Sequence, residues 1–141
     1  MKKKLTRGKL VKKLDVIFSK FIRLYYSKNG ICTCYTCWVK LPRTKIQNGH
    51  FISRSNYNYR WDIQNCRPQC MACNIFKHWN YIEYTMNMIK EKWSKFVDDM
   101  KNNKELVKIS TPDIEAMIRE YEEKVDILLS KQPLKKQKKS V

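Results

Sequence analysis

The sequence predicts an α+β fold, mainly helical, in which a small zinc-bound core is flanked by amphipathic helices. Three observations predict it. Two C-x-x-C pairs, Cys34 with Cys37 and Cys70 with Cys73, bracket 32 residues that lack helical periodicity. On both sides of them, apolar residues recur every three or four positions, the mark of one buried helical face. A chain of 141 residues with 30 basic and 13 acidic side chains, net +17, has room for one modest core and repels itself. Four stretches follow from this: a basic leader and first helix over 1–30, the zinc-bound core over 31–81, helical support over 82–131, and a basic tail over 132–141.

The first helix is expected over about residues 8–28, burying Leu10, Leu14, Ile17, Phe18, Phe21 and Tyr25. Asn29-Gly30 stops it, because both residues tolerate left-handed backbone. Residues 31–69 read as a zinc knuckle, short strands and loops, with Leu41-Pro42 at a turn or edge. Ser53 to Tyr59 is a loop between a strand carrying His50 and another near Trp61. A helix starting close to Cys70 should carry Asn74 and His78 on one face, since they are four apart. A long helix over 82–100 is expected to bury Ile82, Met86, Ile89, Trp93, Phe96 and Met100. Thr111 caps the last helix, Pro112 takes its first position, and Ile114, Met117, Ile118, Tyr121, Val125 and Leu128 form its buried stripe. Pro133 ends it ahead of Lys135, Lys136, Lys138 and Lys139.

Six cysteines suffice for three disulfides, but two matched C-x-x-C pairs in a cytosolic chain point to metal. Zinc takes four tetrahedral thiolates, so Cys34, Cys37, Cys70 and Cys73 are the expected structural ligands. Cys32 and Cys66 are then surplus, although Cys32-Thr33-Cys34 offers an alternative pair. No apolar run approaches the roughly 20 residues needed to span a bilayer, and nothing resembles a signal peptide. A cytoplasmic protein that avoids membranes is expected.

Two histidines are present, His50 and His78. His50 follows a glycine inside the basic metal-binding stretch, where neutral imidazole can take a proton from water. Asn65 would orient that ring through its side-chain carbonyl. Asn74 and His78 would offer an oxygen and a nitrogen to a second, catalytic divalent ion. Such parts suit phosphodiester hydrolysis. Arg43, Arg54, Arg60, Arg67 and Lys77, joined by Lys40 and Lys45, supply the charge to follow a DNA backbone. Tyr57, Tyr59 and Trp61 are candidates to stack on unpaired bases, with core packing as the ordinary fate of Trp61.

In order, C-Y-T-C, N-G-H-F, R-W-D-I-Q-N, P-Q-C-x-x-C-N and Ile82-Glu83-Tyr84 resemble the NinG (Rap) family of phage recombination proteins. The similarity spans roughly residues 15–90. It implies action on branched DNA such as Holliday junctions and D-loops, and a treble-clef, ββα-metal core related to the HNH nucleases. By that resemblance His50 falls on the general base, Asn65 on the base-orienting asparagine and Asn74 on a ligand of a catalytic magnesium or manganese ion. His78 matches a second helix ligand of some HNH enzymes. Gly49 departs from them, since many place Asp or His there, and Arg67 stands where several relatives have His. Asp62, the one carboxylate between the cysteine pairs, is a further candidate to contact the ion.

The expected function is therefore a metal-dependent, structure-selective DNA endonuclease. The alternatives are a non-catalytic zinc module that binds branched or single-stranded DNA, and a general HNH nuclease. Paired cuts would call for a homodimer, for which the helices over 82–100 and 112–130 offer a face. Recombination proteins are further candidate partners.

Overall fold

A computed structural model describes residues 2–132 of the chain. The expected basic tail beyond Pro133 lies outside the described residues. Helix α1 (Arg7–Tyr25) begins where the Thr6 hydroxyl accepts a hydrogen bond from the Lys9 N–H, and it ends four residues before the left-handed Asn29, which Gly30 follows. Its apolar face, Leu10, Leu14, Phe18, Phe21 and Ile22, packs along helix α4 (Thr111–Ser130) at Ile114, Ile118, Tyr121 and Val125. Phe18 meets Tyr121 edge-on with ring centres 5.0 Å apart. Tyr25, expected inside, is exposed, because the stripe drifts off the α4 contact over the last turn.

Strand β1 (Ile31–Thr33) pairs antiparallel with β2 (Lys40–Pro42), and Cys34 and Cys37 sit in the turn between them. Strand β3 (Gln47–His50) pairs antiparallel with β4 (Cys66–Gln69), in a register that sets Gly49 opposite Arg67 and His50 opposite Cys66. No strand runs near Trp61. That residue is buried against α1 and α4 in the long connection from β3 to β4.

After β4 the backbone departs from expectation. Cys70 leads not into a continuous helix but into one π-helical turn, Ala72–Phe76. His78, Trp79 and Asn80 then follow with φ of 46°, 64° and 45°. Asn74 and His78 therefore do not share a helical face.

The helix expected over 82–100 is two helices, α2 (Tyr81–Glu91) and α3 (Ser94–Asn102), broken at Trp93 with φ 129°. Their buried side chains are Tyr84, Met88, Val97 and Met100, packed with Phe51. Ile82, Met86, Ile89 and Trp93, expected in the core, are exposed. Helix α2 carries two apolar stripes, and the one holding Tyr84 goes inside because its hydroxyl finds the Gly49 carbonyl at 2.9 Å. Ser110, not Thr111, caps α4, exchanging hydrogen bonds with Asp113 in a capping box. No helix among the described residues is long and apolar enough to cross a membrane.

Candidate metal centre and adjoining cleft

The β1–β2 turn and the π-helical turn bring the four expected cysteines together. The sulfur atoms of Cys34, Cys37, Cys70 and Cys73 all lie within 4.8 Å of one another. Tetrahedral zinc–sulfur bonds of about 2.3 Å put ligand sulfurs about 3.8 Å apart, and Cys37 and Cys70 are separated by 3.7 Å. The cluster can hold a metal ion such as zinc. Burial tends to raise the Cys34 thiol, yet hydrogen bonds from the Thr36 hydroxyl and nearby backbone N–H groups bring it down to about 6. Burial and the neighbouring sulfurs push Cys37 up to about 12. A bound cation would favour the thiolate form of all four. Cys32 stays apart, its thiol turned to the Arg23 carbonyl at 3.1 Å. Cys66 lies in the α1–α4 core.

Next to this centre opens a cleft of about 660 Å³, lined by Asp15, Arg23, Gln47, Asn48, His50, Arg54 and Asn74 among others. Two features deliver His50 to it. Gly49 allows β3 to press on Gln69: an added Cβ would sit 2.1 Å from the Gln69 Oε1, and Gln69 is fully buried. This is why glycine, which cannot coordinate, precedes the histidine. The ring is then held by a 2.8 Å hydrogen bond between Nε2 and the Arg60 carbonyl. A carbonyl only accepts, so Nε2 carries the proton and Nδ1 keeps a free lone pair. Burial lowers the His50 pKa from its ordinary 6.5, only partly opposed by the Arg60 carbonyl and Asp15.

Asn65 makes no bond to that ring. Its Oδ1 accepts the Ile52 N–H at 2.7 Å, and its amide donates to the carbonyls of Ile52 and Tyr59. It staples the loop after His50, and the orienting role expected of it falls to the Arg60 carbonyl. Asn74 reaches the cleft, donating to Gln47 Oε1 at 2.9 Å. His78 does not line this cleft. It faces a second one with Phe51, Trp79 and Tyr81. Asp62 caps a 3-10 turn, Ile63–Asn65, accepting the Gln64 N–H at 2.8 Å, and it does not line the cleft either.

The five expected DNA-contacting cations divide sharply. Arg67 is 2% exposed and forms a two-pronged pair with Glu91, and it also donates to the carbonyls of Ile63 and Cys66. Arg60 pairs with both oxygens of Asp15 at 2.9 and 2.6 Å. Both guanidinium groups are engaged within the protein, since their spacing in sequence could not reveal the acids opposite them. Arg54 and Lys77 are exposed, and Arg43 lines another cleft beside α1. Trp61 and Tyr57 pack edge-on, 5.4 Å between centres, and the Tyr59 hydroxyl accepts from Asn103.

Two contributors escaped the sequence reading. Arg23 lines the cleft without a carboxylate partner among the described residues, and burial together with Arg43 lowers its pKa. Asp15 locks the site by binding Arg60 and the Trp61 indole N–H at 2.9 Å. A signal for it existed: Asp15 is the sole acid in the first 61 residues.

A family model described as NinG, Bacteriophage Lambda NinG protein, matches residues 1–131. No curated protein and no solved structure matches the chain.

Proposed function

This chain belongs to the NinG family of phage recombination-associated proteins, and we propose on that premise that it is a metal-dependent endonuclease acting on branched DNA. The observation that carries the proposal is the tautomer of His50: its Nε2–H is spent on a backbone carbonyl, which leaves Nδ1 unprotonated in a histidine that lines a cleft with Arg23 and Arg54. The knuckle, the β3–β4 hairpin and the helical turn gathered on one metal centre support a treble-clef relation to HNH nucleases.

In this reading Arg23 and Arg54 draw a phosphate into the cleft. His50 Nδ1 takes a proton from the attacking water. Arg60 and Asn65 are positioning residues, the first through its carbonyl and the second through the loop it staples. Two amide oxygens suit a hard cation. Asn74 offers Oδ1, its amide being turned to Gln47, and Asn48 Oδ1 is buried without a hydrogen-bond partner. Magnesium or manganese, when bound there, would supply charge stabilisation to the phosphoryl oxygens and the leaving oxygen.

A second reading has its own observation. The one carboxylate lining the cleft, Asp15, is saturated by Arg60 and Trp61, which suits a module that holds branched DNA without cutting it.

Incubation with four-way, forked and linear DNA in magnesium or manganese separates these readings. Branch-restricted cutting that falls about a thousandfold in His50→Ala is expected from loss of a general base. Binding without cleavage selects the second reading, and equal cutting of linear duplex selects a general nuclease. Because burial lowers the His50 pKa, the cleavage rate should rise with pH through a midpoint below 6.5 and then level off. A profile still climbing well above that value would remove His50 from the role.

A further inference from the structure

The rings expected to meet unpaired bases are occupied inside the protein, but another set is not. Trp79 is 43% exposed and Tyr81 40%. With Phe51, Ile52 and His78 they line an almost wholly apolar cleft of about 460 Å³. Phe51 is its floor, stacked on Tyr81 with the rings 9° from parallel. Ser53 and Trp79 line both this cleft and the His50 cleft, so the two are neighbours.

The backbone here is strained. Three successive residues with side chains, His78, Trp79 and Asn80, hold positive φ, a conformation that costs each of them energy. The turn is held from behind. Buried Gln69 donates to the Trp79 carbonyl at 2.8 Å, and the Asn80 amide lies 3.7 Å from the Cys73 sulfur. The cysteine centre and the β3–β4 hairpin therefore hold Trp79 at the rim of the cleft in advance of any ligand.

The surroundings select the ligand. Lys101 Nζ lies 5.1 Å from the Tyr81 ring centre and 5.7 Å from that of Phe51. Lys77, which precedes His78, is exposed, on a chain of net charge +17. An apolar ring-lined slot edged by cations suits a flat aromatic ring on an anionic backbone.

We propose that the Phe51–Trp79–Tyr81 cleft receives an unstacked nucleobase of the DNA strand whose phosphate lies in the His50 cleft. This rests on the nuclease reading and deepens it: the slot takes a base only where the duplex is interrupted, so it selects branched or gapped substrates. Stacking provides the affinity, and the strained turn keeps the ring in place.

The test uses the full, zinc-loaded chain with calcium replacing magnesium, so that binding is read without cleavage. One duplex carries a short single-stranded gap with 2-aminopurine in it, and the other is fully paired. Wild-type protein should quench the 2-aminopurine and prefer the gapped duplex. Trp79→Ala should abolish the quench and weaken gapped binding about tenfold, far more than it weakens binding to paired duplex, with the salt dependence of both unchanged. Trp79→Phe should retain most of the preference. Zinc content and thermal unfolding of each variant report its folding, and the wild-type quench needs no variant. Equal loss on both duplexes, no loss, or no wild-type quench overturns the proposal. So does a change in sedimentation by Trp79→Ala with unchanged DNA preference, which would make the surface a contact between copies. Failure of the nuclease reading is distinct: gap preference and quench would persist while magnesium produced no cleavage.

Discussion

The two sides of the molecule are held by different physics. Where α1 meets α4, Leu14, Phe18, Ile22 and Ile114 are almost wholly buried and the contact is apolar. Around β3 and β4 the buried residues include Asn65, Arg67 and Gln69, and the adjoining apolar cluster is mostly cysteine sulfur. The helical side is stabilised by area removed from water, which tolerates small shifts. The hairpin side depends on bonds of fixed length to sulfur, carbonyl and guanidinium, where a missing partner leaves a buried polar group exposed to nothing. The cleft is built on this second kind of support, which holds the His50 imidazole in a set position.

Metal removal should separate the two sides most strongly. Structural zinc contributes on the order of 10 kcal/mol to the folding of small domains. Cys73→Ser, or a strong chelator, should abolish hydrogen-exchange protection over β3 and β4. If the helical side is independently stable, α1 and α4 retain protection, and simultaneous loss of both would show one cooperative unit.

Phe18→Ala probes the other side. Truncating a buried phenylalanine costs about 3–5 kcal/mol, read as a lower denaturation midpoint, while cysteine-bound metal should stay at one ion per chain. Metal loss in that variant would erase the distinction.

Arg67→Ala should cost about 3 kcal/mol, because it removes a buried guanidinium from its ion pair and leaves the Ile63 and Cys66 carbonyls without that donor. Burial alone would lower the Arg67 pKa, and the bond to Glu91 outweighs it only together with the electrostatic influence of Glu91, Tyr26 and Tyr84. If Arg67 instead served DNA, the variant would keep its stability and lose affinity.

The smallest effect is expected at Ser110→Ala. It removes the hydroxyl half of the α4 capping box and should lower stability by about 1 kcal/mol, without altering metal content or DNA binding.

The cysteine cluster and helices α1 and α4 were legible in the sequence because each is a local matter. Two residues between thiols suit one metal ion, and a three-four apolar rhythm specifies a face whatever lies opposite. The parts that depended on a distant partner were not legible. Helix α2 offered two apolar stripes, and the partners that favour Tyr84 over Ile82 and Met86, the Gly49 carbonyl and the Phe51 and Tyr35 rings, come from elsewhere in the chain. Arg60 and Arg67 looked like DNA contacts until Asp15 and Glu91 stood opposite them. Asn65 found the loop in place of the histidine, and the helix expected after Cys70 gave way to a strained turn held by Gln69 and Cys73. Charge, amide and aromatic side chains carry their chemistry in the sequence, but the group that satisfies each one is supplied by the fold.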